Sequence, residues 1–555
     1  MEVWYNIIMF QKSDIERPKR LGAATDQQLG ERSRKLYDDP TGWHNQFRQQ
    51  ITNQIDEDIF KPLFSNTMGA PNAPVRILVA MMALKEGMGL SDEQLYDECR
   101  FNLKTRSALG LMNTDEEIPV ESTYYLFRKR IGEYEEATGK NLLNEAFENI
   151  TKGHCLEFGV AGKRLRMDSK LMGSNVGWYT RYEIVHETIK KYWKSRRATT
   201  NKLNEGERKL LEEILGEAGQ KVSYRSTKEE LAVRMEALGW LMYWLMKEPG
   251  AEGEPDYALL KRVFDEQYVL VEGPGGGKEK KVKTRDKTEL PAPSTVVANP
   301  HDTDAEFRTK NGKTISGYSV NVTETCDCDT LNLIVDVQTE GAGTSDQSYL
   351  EPAVESAKGK VTGKVEELYT DGGFHSVDNQ EYCKKEGIDW TLRGISGKPS
   401  KYDVSYNEKG ELVVFNTETK QSIPTKLAKT KDAAAPQRWV IKDGDHAPIY
   451  FEDKDVVVCA IRKKIAALPK EKLDIRNNVE ATIFQLGYHY RGNKSRYRGL
   501  IKHRLWAISR SLWINFRRIV AWIDKKEGVA VANAGQILKF FWLYLCKLPL
   551  IPQFV

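Results

Sequence analysis

The spacing of apolar positions changes several times along the chain, and each change marks an element. Residues 74–85 are apolar almost throughout, with Pro74 in the first turn, which predicts a buried helix. The glycine-rich turn 87–90 follows. Ser91 with Gln94 three positions later has the form of a capping box and opens a second helix. Pro119 begins a third, with Ser122 and Thr123 near its start and Arg128, Lys129 and Arg130 further along. Two short helices and a turn ahead of a basic helix have the outline of a helix-turn-helix, against the plainer alternative of a helical bundle.

Strand signals begin at 163–172. They are interrupted at 179–270, where the period returns to that of helices, most plainly at 207–215 and 229–241. Residues 272–299 combine a glycine run, a lysine patch and prolines, and are expected to be a linker without a core. Alternation with period two resumes at 317–325 and 330–338, which predicts a hairpin closed by the turn at Cys326–Asp329. A helix at 346–358, a strand at 368–371, a helix at 377–386 and a strand at 388–393 follow. Residues 400–458 break into short strands and turns, and helix returns near Asn478.

Strand, hairpin, helix, strand, helix, strand and late helix is the order of an RNase H-like mixed sheet flanked by helices, an α+β arrangement. The expected organisation is a helical N-terminal domain at 1–150 and a catalytic core at 160–175 and 297–399. A helical insertion and linker fill 176–296, and a β-rich insertion fills 400–458. C-terminal helices occupy 459–555.

The chain has 555 residues, 29% of them charged, and a net charge of +4, so it is no polycation overall. Its cations are instead concentrated locally. Arg491, Lys494, Arg496, Arg498, Lys502, Arg504, Arg510, Arg517 and Arg518 follow one another with no acid between. With Tyr490 and Tyr497 among them, they suit a nucleic-acid backbone and its bases; a solvated helix face is the bland alternative. The seven cysteines show no framework spacing, and the close pair Cys326 and Cys328 lacks the second pair that zinc would require. There is no signal-peptide pattern, and the apolar run 537–546 is too short to cross a bilayer and contains Lys539, so a cytoplasmic protein without a membrane partner is expected. The glycines before Lys278 are not a phosphate loop, because Glu279 stands where Ser or Thr is required.

Three acids fall at telling places in the element order: Asp168 on the first strand, Asp371 at the end of the fourth, and Glu480 on the late helix. The first and fourth strands of such a sheet are neighbours, and a helix crossing it can deliver the third acid. Three carboxylates suit a hard divalent cation, and a pair of such ions serves in-line phosphodiester displacement. The expectation is that the three carboxylates lie within about 4–8 Å of one another. His301, Asp302 and Asp304 precede the hairpin and read as a capped loop or, less simply, as neighbours of the site.

These pieces together resemble the DDE transposases of bacterial insertion sequences. The residues that carry the likeness are Arg166–Ser169, the segments 299–307 and 317–325, Tyr369–His375 and Arg476–Phe484, with the helices at 74–131 similar to the family's N-terminal domain. The resemblance implies Asp168, Asp371 and Glu480 as catalytic metal ligands for magnesium, with manganese able to substitute. Arg476, four residues before Glu480, is implied as a phosphate contact on the same helix face. Where related proteins have a tyrosine before that arginine and a cation after the glutamate, this chain has Leu473 and Gly487. The implied function is transposition. The enzyme would bind terminal inverted repeats, act as an endonuclease to free a 3′ hydroxyl, and join it to target DNA as a homodimer or larger assembly, associated with the nucleoid when DNA-bound. A nuclease that cuts without joining, and an inactive DNA-binding derivative, are the alternatives. Arg491, Lys494, Arg496, Arg498, Lys502 and Arg504 are expected to form a DNA surface continuous with the acids, and Arg128, Lys129 and Arg130 to govern sequence preference.

Overall fold

The six strands around Asp168 and Asp371 belong to one mixed sheet. The structure, a computed structural model, describes residues 8–14, 18–65, 69–196, 203–272, 280–292, 295–310, 312–395, 400–428, 437–443 and 447–526; the side chains of 272, 280, 471, 473, 476 and 477 lie outside that description.

In chain order the helices used below begin with α1 (Val75–Met88), α2 (Asp92–Phe101), α3 (Glu121–Thr138) and α4 (Leu142–Glu157). The sheet consists of β1 (Arg164–Gly173), β2 (Glu306–Lys310), β3 (Lys313–Thr325), β4 (Ile334–Gly341), β5 (Glu367–Thr370) and β6 (Asp389–Leu392). Between and after its strands come α5 (Leu350–Lys358), α6 (Val377–Glu386), α7 (Asp453–Ala467), α8 (Lys470–Gly487) and α9 (Leu500–Lys526).

β1 is central. It pairs antiparallel with β3, from Leu165↔Thr325 to Gly173↔Gly317, and parallel with β5, where Arg164, Leu165 and Arg166 face Glu367, Leu368 and Tyr369. β5 pairs parallel with β6, and β3 pairs antiparallel with β2 and β4. One face of the sheet packs on α5 and α6 through Leu165, Met167, Val335, Leu350, Val354 and Leu368. α8 runs along the other face.

α1 is buried along nearly its whole length. Its core is shared with Val320, Val322 and Ile334 of the sheet and with Leu505, Trp506, Leu512 and Phe516 of α9. The N-terminal helices are therefore built into the same core as the six-stranded sheet rather than hung from it as a free helix-turn-helix. The capping box at Ser91 and Gln94 is present. Gly87 is a packing requirement: a Cβ there would overlap the Trp513 ring. The carbonyls that α1 leaves unpaired at its C-terminus are taken by two arginines. Arg510 donates to Glu86 O and Gly87 O at 2.9 and 2.6 Å, and Arg496 donates to Gly89 O at 3.1 Å and to Leu90 O. Cations at that end also complement the helix dipole.

Residues between β1 and β2 make a second core from helices Arg181–Ser195, Glu205–Gly216, Lys228–Lys247 and Tyr257–Gln267. The expected linker is partly structured. Tyr268–Glu272 and Lys280–Thr284 pair as antiparallel strands, and Val282 and Val297 are fully buried in this helical core. Pairing with the apolar strand Tyr268–Glu272 and burial of Val282 outweigh the glycine- and proline-rich composition around it. Residues 402–451 form two three-stranded antiparallel sheets around Val404, Val414, Trp439 and Ile441. Helix returns at Asp453, earlier than the sequence suggested, after a capping box at Glu452.

Candidate active site

The register of the central strands brings two of the three acids together. The pairing of β1 with β5 ends at Arg166↔Tyr369, and that of β5 with β6 at Thr370↔Leu392. Continuing both by one or two residues sets Asp168, Asp371 and Arg393 in a single row across three adjacent strands, about 4.8 Å from strand to strand. The Arg393 amide donates to Thr370 O at 3.1 Å, so the row persists past the last ladder pair. Asp168 is 8% exposed. Asp371 caps the turn that follows, its Oδ1 accepting from the Gly373 amide at 2.9 Å. Gly372 has no space for a side chain because the backbone of Gly394 and Ile395 lies against it. The room that glycine might leave for a phosphate is thus filled by the chain itself.

Glu480 comes from α8, which lies along β1. Arg166 donates to Ile475 O at 3.0 Å, and Lys170 donates to Ile483 O at 3.2 Å. Eight helical residues rise about 12 Å and four strand residues about 13 Å, so helix and strand run alongside each other between these two bonds. Asp168 is midway on the strand, on the face of Arg166 and Lys170, and residue 479 is midway on the helix. Val479 is fully buried against the sheet, and Glu480 emerges beside it. Its Oε1 lies 3.3 Å from Arg393 Nη1, and its side chain is 57% exposed.

The position of α8 is fixed from below by a buried charge cluster. Glu324 of β3 is fully buried between Arg166 and Arg518, each at 2.6 Å, and accepts from the Thr482 hydroxyl at 2.7 Å. Burial opposes its charge, but Arg518 and Arg166 outweigh that and hold its carboxyl below the ordinary range. Thr482 is two residues from Glu480, so this cluster sets the height of the helix over Asp168.

On the opposite face of β1, Asp346 accepts from the Ser169 hydroxyl at 2.9 Å and from both terminal nitrogens of Arg308 at 3.4 and 3.3 Å. A Cβ at residue 373 would lie 3.0 Å from Asp346 Oδ2 and 3.0 Å from Asp371 Oδ1. Gly373 therefore stands between the two carboxylates. Sequence reasoning missed Arg393, Asp346 and Glu324. Arg393 carries a signal in hindsight, since it directly follows a strand parallel to the one that Asp371 directly follows.

The chemistry of the donors suits a divalent cation: they are hard carboxylate oxygens. Among the described residues, however, no group of three His, Cys, Asp or Glu side chains could hold a metal ion together. The Glu480 carboxylate is turned to Arg393. Arg476 lies on α8, but its side chain is outside the described residues.

The basic residues separate into two groups. Arg491, Lys494, Arg498 and Lys502 are exposed. Lys494 bridges to Gly173 and its Nζ donates to Val176 O at 2.9 Å, while Arg498 Nε donates to Asn175 O at 2.7 Å. Lys494 and Arg498 thus sit at the Gly173 end of β1, about 16 Å along the strand from Asp168. Arg496 and Arg504 turn inward. Arg496 caps α1, and Arg504 pairs with Glu135 at 2.5 Å and Glu340 at 2.7 Å. These two correct the reading of an unbroken DNA-facing row. Tyr497 is buried with its hydroxyl on Glu86 and does not present a ring to bases. Arg128 is also largely covered, over the rings of Tyr124 and Tyr497 at 5.4 and 5.7 Å. Lys129 is exposed beside Glu133 at 3.0 Å, and Arg130 lies over Phe64 at 5.9 Å. Asp302 is buried, accepting from Tyr318 Oη at 2.5 Å and the Gly499 amide at 3.0 Å, and Asp304 accepts from the Leu500 amide at 3.4 Å. They form a capped loop at the start of α9, with His301 3.8 Å from Glu187.

Comparison with known proteins agrees with this architecture. A family model for a transposase domain (DUF772) matches residues 37–130, and one for a transposase DDE domain matches residues 280–516. No curated protein matches the chain. The second match contains Asp371 and Glu480 but not β1, so Asp168 joins them through the sheet pairing. Among the described residues no helix is long and apolar enough to cross a membrane. With both matched regions sharing one core around the central sheet, the chain is a DDE transposase of the insertion-sequence type, an enzyme that acts on DNA.

Proposed function

We propose that Asp168, Asp371 and Glu480 are the catalytic acids of this transposase and that together they hold magnesium, for which manganese can substitute. The observation that carries the reading is the row of Asp168, Asp371 and Arg393 across β1, β5 and β6, with Glu480 bonded to the end of that row. The strand order, with β1 central and β5 beside it, supports an RNase H-like core. On this reading the helices between β1 and β2 and the sheets at 402–451 are insertions into that core.

In this mechanism the bound metal would activate the attacking oxygen and stabilise the leaving one. Asp168 and Asp371 supply two fixed carboxylates from neighbouring strands. Glu480 joins them by leaving Arg393, and the Arg393 guanidinium then faces the phosphate at the end of the row. Arg476 is the second phosphate contact, from the same helix as Glu480. Water is the first nucleophile, and the 3′ hydroxyl it frees is the second, directed onto target DNA. Terminal inverted repeats are the DNA ends bound, and the two ends are held by a homodimer or larger assembly. Lys129 and Arg130 with Arg491, Lys494, Arg498 and Lys502 provide DNA contacts outside the acids. The protein acts in the cytoplasm on the nucleoid.

The test is cleavage and strand transfer on a duplex copied from the DNA ends flanking the gene. Asp168→Asn, Asp371→Asn and Glu480→Gln should each abolish both reactions in magnesium while leaving DNA binding in place. Normal cleavage by any one of them would overturn the assignment of that residue.

A further inference from the structure

On the face of β1 that bears Asp168, the next side chain along the strand is Lys170, about 7 Å further on. Its Nζ donates to Ile483 O of α8 at 3.2 Å. The space it occupies exists because residue 487 is glycine: a Cβ there would stand 2.6 Å from Nζ and 2.8 Å from Cε of Lys170. An ammonium has three protons to donate. Among the described residues no carboxylate pairs with Lys170. Lys85 and Lys360, buried lysines elsewhere in the chain, are treated differently, Lys85 lying 2.5 Å from Asp92 and Lys360 3.5 Å from Glu148. A half-buried cation whose hydrogen-bond partner is a carbonyl is available to an anionic ligand.

We propose that Lys170 is a DNA-phosphate ligand of the active site, its ammonium binding a non-bridging oxygen of a phosphate adjacent to the one held at Asp168 and Asp371. The inference rests on the reading of Asp168 and Asp371 as the catalytic acids. Its rival is a purely structural role, in which Lys170 only satisfies a carbonyl near the C-terminus of α8.

The experiment uses the full chain and a duplex copied from the DNA ends flanking the gene, with single phosphates around the cleavage position replaced in turn by uncharged methylphosphonates. Binding is measured without metal across a salt series. Lys170→Met should reduce the slope of log affinity against log salt by about 0.9, the loss of one phosphate contact, and Lys170→Arg should retain it. One methylphosphonate position that weakens binding by the natural chain should have no further effect on Lys170→Met. Gly487→Ala keeps the charge but displaces it, so it should lose the same sensitivity, and it decides the matter if Lys170→Met does not fold. An unchanged salt slope, with every methylphosphonate still felt by both variants, would leave Lys170 a helix contact and overturn the proposal. Failure of the catalytic-acid reading is read separately, from cleavage by Asp371→Asn.

Discussion

Arg393 Nη1 stands 3.3 Å from Glu480 Oε1, and its backbone amide is bonded to Thr370, the residue before Asp371. One arginine therefore ties the position of the late-helix acid to the strand end that carries the second aspartate. The pair is well exposed, at 45% and 57%, so solvent weakens it and its worth is about 0–1 kcal/mol. On the catalytic reading it is a shallow holding position that a metal can displace.

Arg393→Gln should accordingly change unfolding free energy by less than about 1 kcal/mol. It should also lower the magnesium concentration for half-maximal cleavage, by no more than about fivefold, because a competitor for Glu480 is gone. A magnesium titration of cleavage checks this; a requirement for more magnesium would show that Arg393 does not compete with the metal for Glu480.

Glu324→Gln removes the charge between Arg166 and Arg518 and leaves two guanidinium groups facing each other in the interior. A loss of about 3–5 kcal/mol in urea unfolding is expected. The pH dependence follows from the lowered pKa of this carboxyl. Its contribution is fully present above the unfolded-state value, about 4.3, and is lost as pH falls through the lower folded-state value. Melting temperature against pH should therefore fall less steeply below about pH 4 in the variant than in the natural chain.

Asp346→Asn should slow cleavage while leaving DNA affinity within about twofold, since Asp346 touches Ser169 and Arg308 and flanks the Asp371 turn through Gly373. Gly373→Ala, which crowds both carboxylates, should act in the same direction. Equal cleavage rates for Asp346→Asn and the natural chain in single-turnover assays would remove Asp346 from the positioning of the site.

The cations after Tyr490 should divide by their burial. Replacing Arg491, Arg498 and Lys502 together with glutamine should flatten the salt dependence of DNA binding and leave the melting temperature nearly unchanged. Arg504→Ala should do the reverse, costing about 2–4 kcal/mol by stripping Glu135 of its partner, with little effect on the salt slope. Salt titrations and urea melts on the two variants separate these outcomes.

The sequence by itself determined what depends on local periodicity and on the order of elements. The alternating segments at 163–172 and 317–325, the strands just before Asp371 and Arg393, and the box at Ser91 all form where the spacing placed them to within a few residues, because strand and helix periods are written residue by residue. Only the tertiary structure decided which charges meet. Arg496, Arg504 and Arg510 look alike in a basic stretch, yet two cap the end of α1 and the third pairs with Glu135 and Glu340, partners 160 or more positions away in the chain. The ties of Arg393 to Glu480, Glu324 to Arg518 and Lys170 to the gap at Gly487 are likewise invisible to spacing, because each joins elements whose proximity is set by the packing of α8 and α9 on the sheet.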